Sequence, residues 1–154
     1  MKQLIQFQKI VGGVLIMGGL LLTHGTVANE IKVEHPPYPE RGLKRLVKVE
    51  RLPKTEFAVI EQGGQIWDQN CKICHGTGNF GAPKITGSKF WGPRIEQGLT
   101  VLVEHAQNGF LSPSGGNMPA RGGNDELKDQ EVEAAVRFMV YHSGGQEIAI
   151  QDLK

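Results

Sequence analysis

The chain has 154 residues, of which 39% are hydrophobic, and a formal net charge of +1 at pH 7. This length suits one domain with some residues to spare. The near balance of charges gives no indication of nucleic-acid binding or of a strong field for steering partners. The 21 glycines indicate many loops rather than a large regular sheet.

Residues 1–28 have the layout of a secretory signal peptide. Lys2 and Lys9 form a positive start, residues 10–22 are an unbroken run of apolar residues and glycines, and Thr26-Val27-Ala28 offers small residues around a cleavage point. The run is shorter than the roughly 20 residues that cross a bilayer. We therefore expect cleavage after Ala28 and export to the periplasm. A retained inner-membrane anchor is the alternative.

Residues 29–56 are predicted to form a proline-containing basic arm, followed by a domain at 57–154. The segment His35-Pro36-Pro37-Tyr38-Pro39 excludes a helix, because each proline fixes φ and restricts the residue before it. The apolar residues of 43–52 fit neither a helical nor a strand period. Packing on the domain, disorder and partner binding all remain open for this arm.

A first helix is predicted over Phe57–Asn70, with Thr55 as its cap and Glu56 in its first turn. One face of this helix carries, at helical spacing, Ile60, Gly63, Gly64 and Trp67. Adjacent glycines cost about 1 kcal/mol each in a helix relative to alanine, which suggests that another element approaches closely. A break at Gly63-Gly64 is the alternative.

The stretch Cys71-Lys72-Ile73-Cys74-His75 has the C-x-x-C-H order that attaches a c-type haem. Two thiols at this spacing can add to the two porphyrin vinyl groups, and the histidine that follows can bind the iron. A zinc site would need further cysteines, and the chain has only two. The surrounding sequence is rich in glycine and lacks the βαβ pattern of a thioredoxin-type pair. A structural disulfide with a chance histidine remains open.

Two more helices follow, and no convincing strand is predicted. The segment Gly98–Gly109 carries apolar residues at helical spacing and ends at glycine. The clearest helix is Glu131–His142, with Asp129 as its expected cap. Its apolar stripe consists of Val132, Ala135, Val136, Met139 and Val140.

Met118 is the predicted sixth ligand of the iron. It lies in a glycine-rich, proline-containing loop 43 residues after His75, which leaves enough chain to return to the opposite haem face. His/Met ligation raises the haem potential and favours electron transfer over oxygen chemistry. Met139 is expected in the core, and His105 and His142 are expected to be surface or satisfied side chains. Bis-histidine ligation is the alternative.

Together, these motifs make the chain resemble the class I cytochromes c, most closely the small bacterial cytochromes of the c-five type. The resemblance covers about residues 57–143. Besides Gly63-x-x-x-Trp67 and the haem motif, the matching segments are Cys74-His75-Gly76-Thr77-Gly78, Gly81-Ala82-Pro83-Lys84, Phe90–Gly98, Met118–Asn124 and Glu131–Val136. It implies an all-α fold of three to four helices around one covalently attached haem c.

The resemblance also implies roles for individual residues. Trp67 would pack against Phe138 or Tyr141, and the Pro83 carbonyl would accept the proximal histidine's N–H, which orients the ring. Trp91 and Arg94 would lie near the haem propionates, although a surface arginine is the alternative. Relatives often carry a second cysteine pair and a serine helix cap, both of which this chain lacks.

The sequence therefore favours a one-electron carrier rather than an enzyme. A quinol-oxidising complex or a periplasmic dehydrogenase would donate the electron, and an oxidase or reductase would accept it. We expect a weakly charged patch near the haem edge, formed by Ala82, Ile85, Ala120 and the glycines near Met118. The alternatives are a haem c subunit docked permanently in a respiratory or dehydrogenase complex, and a peroxidase or gas sensor with open iron.

Overall fold

Helices form most of the regular structure in residues 46–113 and 115–153, the part of the chain that the computed structural model describes. The six α-helices there are α1 Ala58–Asn70, α2 Lys72–His75, α3 Ser88–Ile95, α4 Leu99–Asn108, α5 Asp129–Tyr141 and α6 Gln146–Ala149. Short 3-10 turns occupy Val49–Arg51, Asn79–Gly81 and Ala120–Gly123. The predicted signal peptide and residues 29–45 of the arm lie outside the described residues. Within the described part, no helix has the length and apolar character needed to cross a membrane.

The helices α1 and α5 are in close contact at Gly63. A Cβ added to this glycine would lie 1.9 Å from the carbonyl oxygen of Ala134, so only a residue without a side chain fits here. Four residues later, the Trp67 ring lies 5.7 Å from that of Phe138, the first of its two predicted partners. The helix runs through both glycines without a break. The close approach predicted from Gly63-Gly64 is therefore confirmed.

The predicted cap of α1 is wrong. The helix begins at Ala58, and Phe57 precedes it without a side-chain cap. The Thr55 hydroxyl accepts the Phe57 N–H at 3.3 Å. Glu61 folds back from the first turn, and its carboxylate accepts the Thr55 N–H at 2.9 Å. The backbone just before the helix is therefore held by hydrogen bonds to Thr55 and Glu61, and not by a side chain at the cap position.

The predicted cap of α5 is also wrong, because the helix begins at Asp129 itself. Glu131 reaches back, and its carboxylate accepts the N–H of Lys128, the residue just before the helix, at 2.8 Å. This is the glutamate half of a capping box. The Asp129 carboxylate instead accepts a 2.6 Å hydrogen bond from Arg121.

The apolar stripe of α5 supplies much of the core, as predicted. All five of its stripe residues are buried, and Met139 is 3% exposed. From α4, the buried residues are Leu99, Leu102 and Ala106. This helix ends at Asn108 with Gly109 as its cap, which confirms the prediction. The core is therefore built mainly by α1, α4 and α5.

A two-stranded antiparallel ribbon joins α4 to the Met118 segment, contrary to the expectation of no strand. Its strands are β1 Phe110–Leu111 and β2 Asn117–Met118, and Phe110 lies opposite Met118. Two residues per strand are too few to produce the alternation that reveals strands in a sequence.

Residues 46–52 of the arm pack on the domain. The Val47 N–H donates a hydrogen bond to the carbonyl of Gly76 at 3.1 Å, directly after the haem-binding motif. Val47, Val49 and Leu52 pack against the core. Of packing, disorder and partner binding, these residues of the arm therefore show packing on the domain.

Candidate haem site

The C-x-x-C-H motif consists of Cys71, which separates α1 from α2, and of α2 itself. Cys71 ends α1, its N–H donating to the Trp67 carbonyl at 2.9 Å, and the His75 N–H donates to the Cys71 carbonyl at 3.0 Å. This helical turn brings Cys71, Cys74 and His75 to one side, because residues three and four apart are neighbours on a helix. Both cysteines are free, so the structural disulfide is not formed. Burial raises the pKa of the Cys71 thiol to about 12.

His75 is buried and held at two points. Its ring Nδ1 lies 2.9 Å from the carbonyl oxygen of Pro83, the bond that the family resemblance implied. Its own carbonyl accepts the Ile85 N–H at 2.7 Å. Burial lowers the pKa of the imidazole, which outweighs the opposing effect of the Pro83 bond. The ring is therefore neutral near pH 7, and donation from Nδ1 leaves the Nε2 lone pair available to a metal.

Met118 lies in β2 and is half-buried, packed against the core. Pro119 follows with extended backbone (φ −67°, ψ 151°). Beyond it, Arg121 ties the chain to the start of α5, donating to the Leu127 carbonyl at 2.7 Å and to Asp129. The thioether is thus carried by a segment anchored on the domain rather than by a free surface loop.

One cavity of about 540 Å³ brings together all seven residues that the sequence singled out. They are Cys71, Cys74, His75, Pro83, Trp91, Arg94 and Met118. Apolar wall residues include Phe80, Leu102, Ala106, Phe110, Val136 and Met139. A volume of this size is typical of small-molecule and cofactor pockets. Two thiols, a free imidazole nitrogen and a thioether in an apolar cavity form a donor set that fits haem c.

Trp91 and Arg94 lie on α3, beside the proximal histidine. Trp91 is buried; its Nε1 donates to the Lys84 carbonyl at 3.0 Å, and its ring centroid lies 6.3 Å from that of His75. Arg94 donates one hydrogen bond to the Phe90 carbonyl, and it lowers the pKa of His75 electrostatically. Their predicted place near the haem propionates stays a prediction.

One sequence-based placement is wrong. Ile85, expected on the exposed patch, is completely buried, whereas Phe80 and Leu111 are 73% and 74% exposed. His105, expected to be a surface or satisfied side chain, is half-buried, and the prediction did not include its place in the cavity wall. Helical spacing contained the signal for His105, because it lies three residues after the buried Leu102.

Residues 58–139 match the family described as cytochrome C oxidase, cbb3-type, subunit III. The matched segment is more than half of the chain and contains both cysteines, His75 and Met118. The chain belongs to this cytochrome c family. Its fold is that of the class I cytochromes c, and haem c attached covalently through Cys71 and Cys74 is its cofactor.

Three relatives illustrate the family. Cytochrome c-555 of Chlorobaculum tepidum is 43% identical over 81 residues, covering 53% of this chain and 74% of that protein. Cytochrome c5 of Azotobacter vinelandii is 32% identical over 79 residues, covering 50% of this chain and 89% of that protein. The cbb3-type cytochrome c oxidase subunit FixP of Bradyrhizobium diazoefficiens is 26% identical over 122 residues, covering 77% of this chain and 42% of that protein. The predicted similarity to small cytochromes of the c-five type is confirmed.

Proposed function

We propose that this cytochrome is a single-haem, one-electron carrier of the bacterial periplasm, with His75 and Met118 as the axial ligands. The observation that carries the proposal is that His75, oriented by Pro83, lines the same cavity as the Met118 thioether. The chain contains one C-x-x-C-H motif. When bound, haem supplies a one-electron iron couple, whose potential a His/Met pair raises. The location rests on the signal-peptide pattern of residues 1–28.

Removing the Met118 thioether tests this ligation. We expect the weak far-red absorption band of the oxidised protein, which reports methionine sulfur on ferric iron, to disappear in Met118→Ala. Met139→Leu is the matched control, because Met139 lines the same cavity from the core and this replacement nearly conserves volume. The control should keep the band. A wild-type protein without the band would refute His/Met ligation, and loss of the band in the control would refute the assignment of Met118 as the ligand.

The partners that we propose are redox proteins with apolar, weakly charged docking faces. Two segments that line the cavity, 78–83 and 109–120, contain no charged residue. Phe80 lies in the first and Leu111 in the second, and both are largely exposed. Electron-transfer encounters are small and transient, so a few such side chains suffice. The donor would be a quinol-oxidising complex or a periplasmic dehydrogenase, and the acceptor an oxidase or reductase.

An apolar docking face has a measurable consequence. We expect the rate at which native membranes reoxidise the reduced protein to change less than about threefold between about 10 mM and 150 mM salt, because charge steering is absent. The double variant Phe80→Ser/Leu111→Ser should lower this rate about tenfold. Phe90→Ser is the control, since Phe90 is 60% exposed but lies on α3, outside both uncharged segments. A steep salt dependence, or equal effects of the two variants, would contradict this docking face.

A second candidate is a haem c subunit docked permanently in a respiratory or dehydrogenase complex. The similarity to FixP favours it, because that alignment extends over 77% of the chain and so beyond the 53% shared with cytochrome c-555. Gel filtration of gently solubilised native membranes separates the two proposals. A carrier elutes at the size of the free chain, whereas a subunit elutes with a larger complex.

A further inference from the structure

The backbone of Met118 lies against the end of α4. Gly109 caps this helix with φ +85°, and a Cβ there would lie 3.1 Å from both the Met118 carbonyl oxygen and the Ala120 nitrogen. The next residue, Phe110, is paired with Met118 across the ribbon. Movement of Phe110 would therefore move the segment that carries the thioether.

One side chain of α4 holds Phe110 in place. The ring of His105 stacks on the ring of Phe110, with centroids 4.2 Å apart and planes 32° from parallel. Both residues are half-buried and line the haem cavity. Such close aromatic pairs stabilise beyond the area that they bury.

The two sides of the Met118 segment are held differently. After Met118, Arg121 binds the Leu127 carbonyl and the Asp129 carboxylate. Before Met118, the chain is held by the ribbon, by the hydrogen bond from the Ser112 N–H to the Gly116 carbonyl at 2.7 Å, by the close approach of Gly109 and by the contact of His105 with Phe110. The contact of His105 with Phe110 acts on this first side from within the cavity.

We propose that His105 is a positioning residue for Met118. Its ring packs against Phe110, and this contact keeps the Met118 thioether in the position where it can outcompete other ligands for the iron. The inference rests on the proposed ligation of iron by Met118, and it assigns to His105 a role in the stability of that bond rather than in binding iron.

The test is a titration of the oxidised holoprotein with imidazole, followed by loss of the far-red band. Without the stack, His105→Ala should bind imidazole about tenfold more tightly than the wild type, which corresponds to about 1.4 kcal/mol. His105→Leu, which restores apolar volume without an aromatic ring, should show the same rise. His105→Phe keeps a stack and should remain within about twofold of the wild type.

His142→Ala is the matched control. His142 is another half-buried histidine, its ring 4.6 Å from that of Phe138, but it does not line the cavity. Its replacement should leave imidazole affinity within about twofold of the wild type, even if the protein unfolds more readily.

Three outcomes would overturn the proposal. Wild-type imidazole affinity in both His105→Ala and His105→Leu would show that the stack does not hold Met118. An equal rise in His105→Phe would show that the imidazole itself is required. An equal rise in His142→Ala would show a general loss of stability. Absence of the band in the wild type refutes the Met118 ligation instead, so the two failures are distinguishable.

Discussion

Gly63→Ala is expected to lower the free energy of unfolding by about 2 kcal/mol or more. The added methyl would lie 1.9 Å from the Ala134 carbonyl oxygen, so α1 and α5 would have to move apart by more than 1 Å. Overpacking in a well-packed core usually costs about 1–3 kcal/mol, and a clash with backbone is at the upper end because backbone cannot change rotamer. The gain of about 1 kcal/mol in helix propensity does not offset this cost.

Guanidinium unfolding of the holoprotein, followed by circular dichroism, measures the effect. Gly64→Ala is the matched control, because the neighbouring methyl would meet a side chain, the Phe138 ring, at 2.9 Å. The ring can shift, so we expect at most about half the loss. Equal stability of Gly63→Ala and the wild type would show that the helices are farther apart than described.

Arg137→Met is expected to lower the free energy of unfolding by about 2–4 kcal/mol. Arg137 is 7% exposed, and its Nη1 donates to the carbonyl oxygens of Ala149 and Gln151 at 2.9 and 3.0 Å. Its Nε and Nη2 contact the Glu133 carboxylate at 2.8 and 2.7 Å. Hydrogen bonds from a charged donor contribute about 1.5–3 kcal/mol each, and methionine would leave both carbonyls without this donor.

Glu133→Gln separates the ion pair from the carbonyl bonds. It keeps an acceptor for Arg137 but removes the charge, and the Glu133 side chain is 39% exposed. Because the Glu133 end of the pair is open to water and the amide still accepts from Arg137, the loss should stay below about 1 kcal/mol in the same unfolding measurement. If Glu133→Gln proves as destabilising as Arg137→Met, the ion pair rather than the attachment of α6 carries the stability.

The chemistry of the site could be predicted because the residues that perform it are scarce. The chain has two cysteines, and of its four methionines one lies in a constrained loop of the domain. The helices α4 and α5 were also predictable, because their apolar residues repeat at helical spacing over three turns.

Features that depend on tertiary contacts could not be predicted. The helix starts were misassigned because Glu61 and Glu131 fold back onto N–H groups upstream of each helix. Ile85 is buried although it lies in a glycine- and proline-containing loop, since its N–H is bound to the carbonyl of His75.

The contact of Val47 with Gly76 indicates that the packed domain begins before α1. The family match starts at residue 58, yet Val47, Val49 and Leu52 contribute to the same core as α1 and α5. At the other end, Ile148, Ile150 and Leu153 pack beyond the last matched residue, 139. The stretch matched by the family model is therefore shorter than the packed unit, and a fragment trimmed to residues 58–139 would expose apolar surface at both ends.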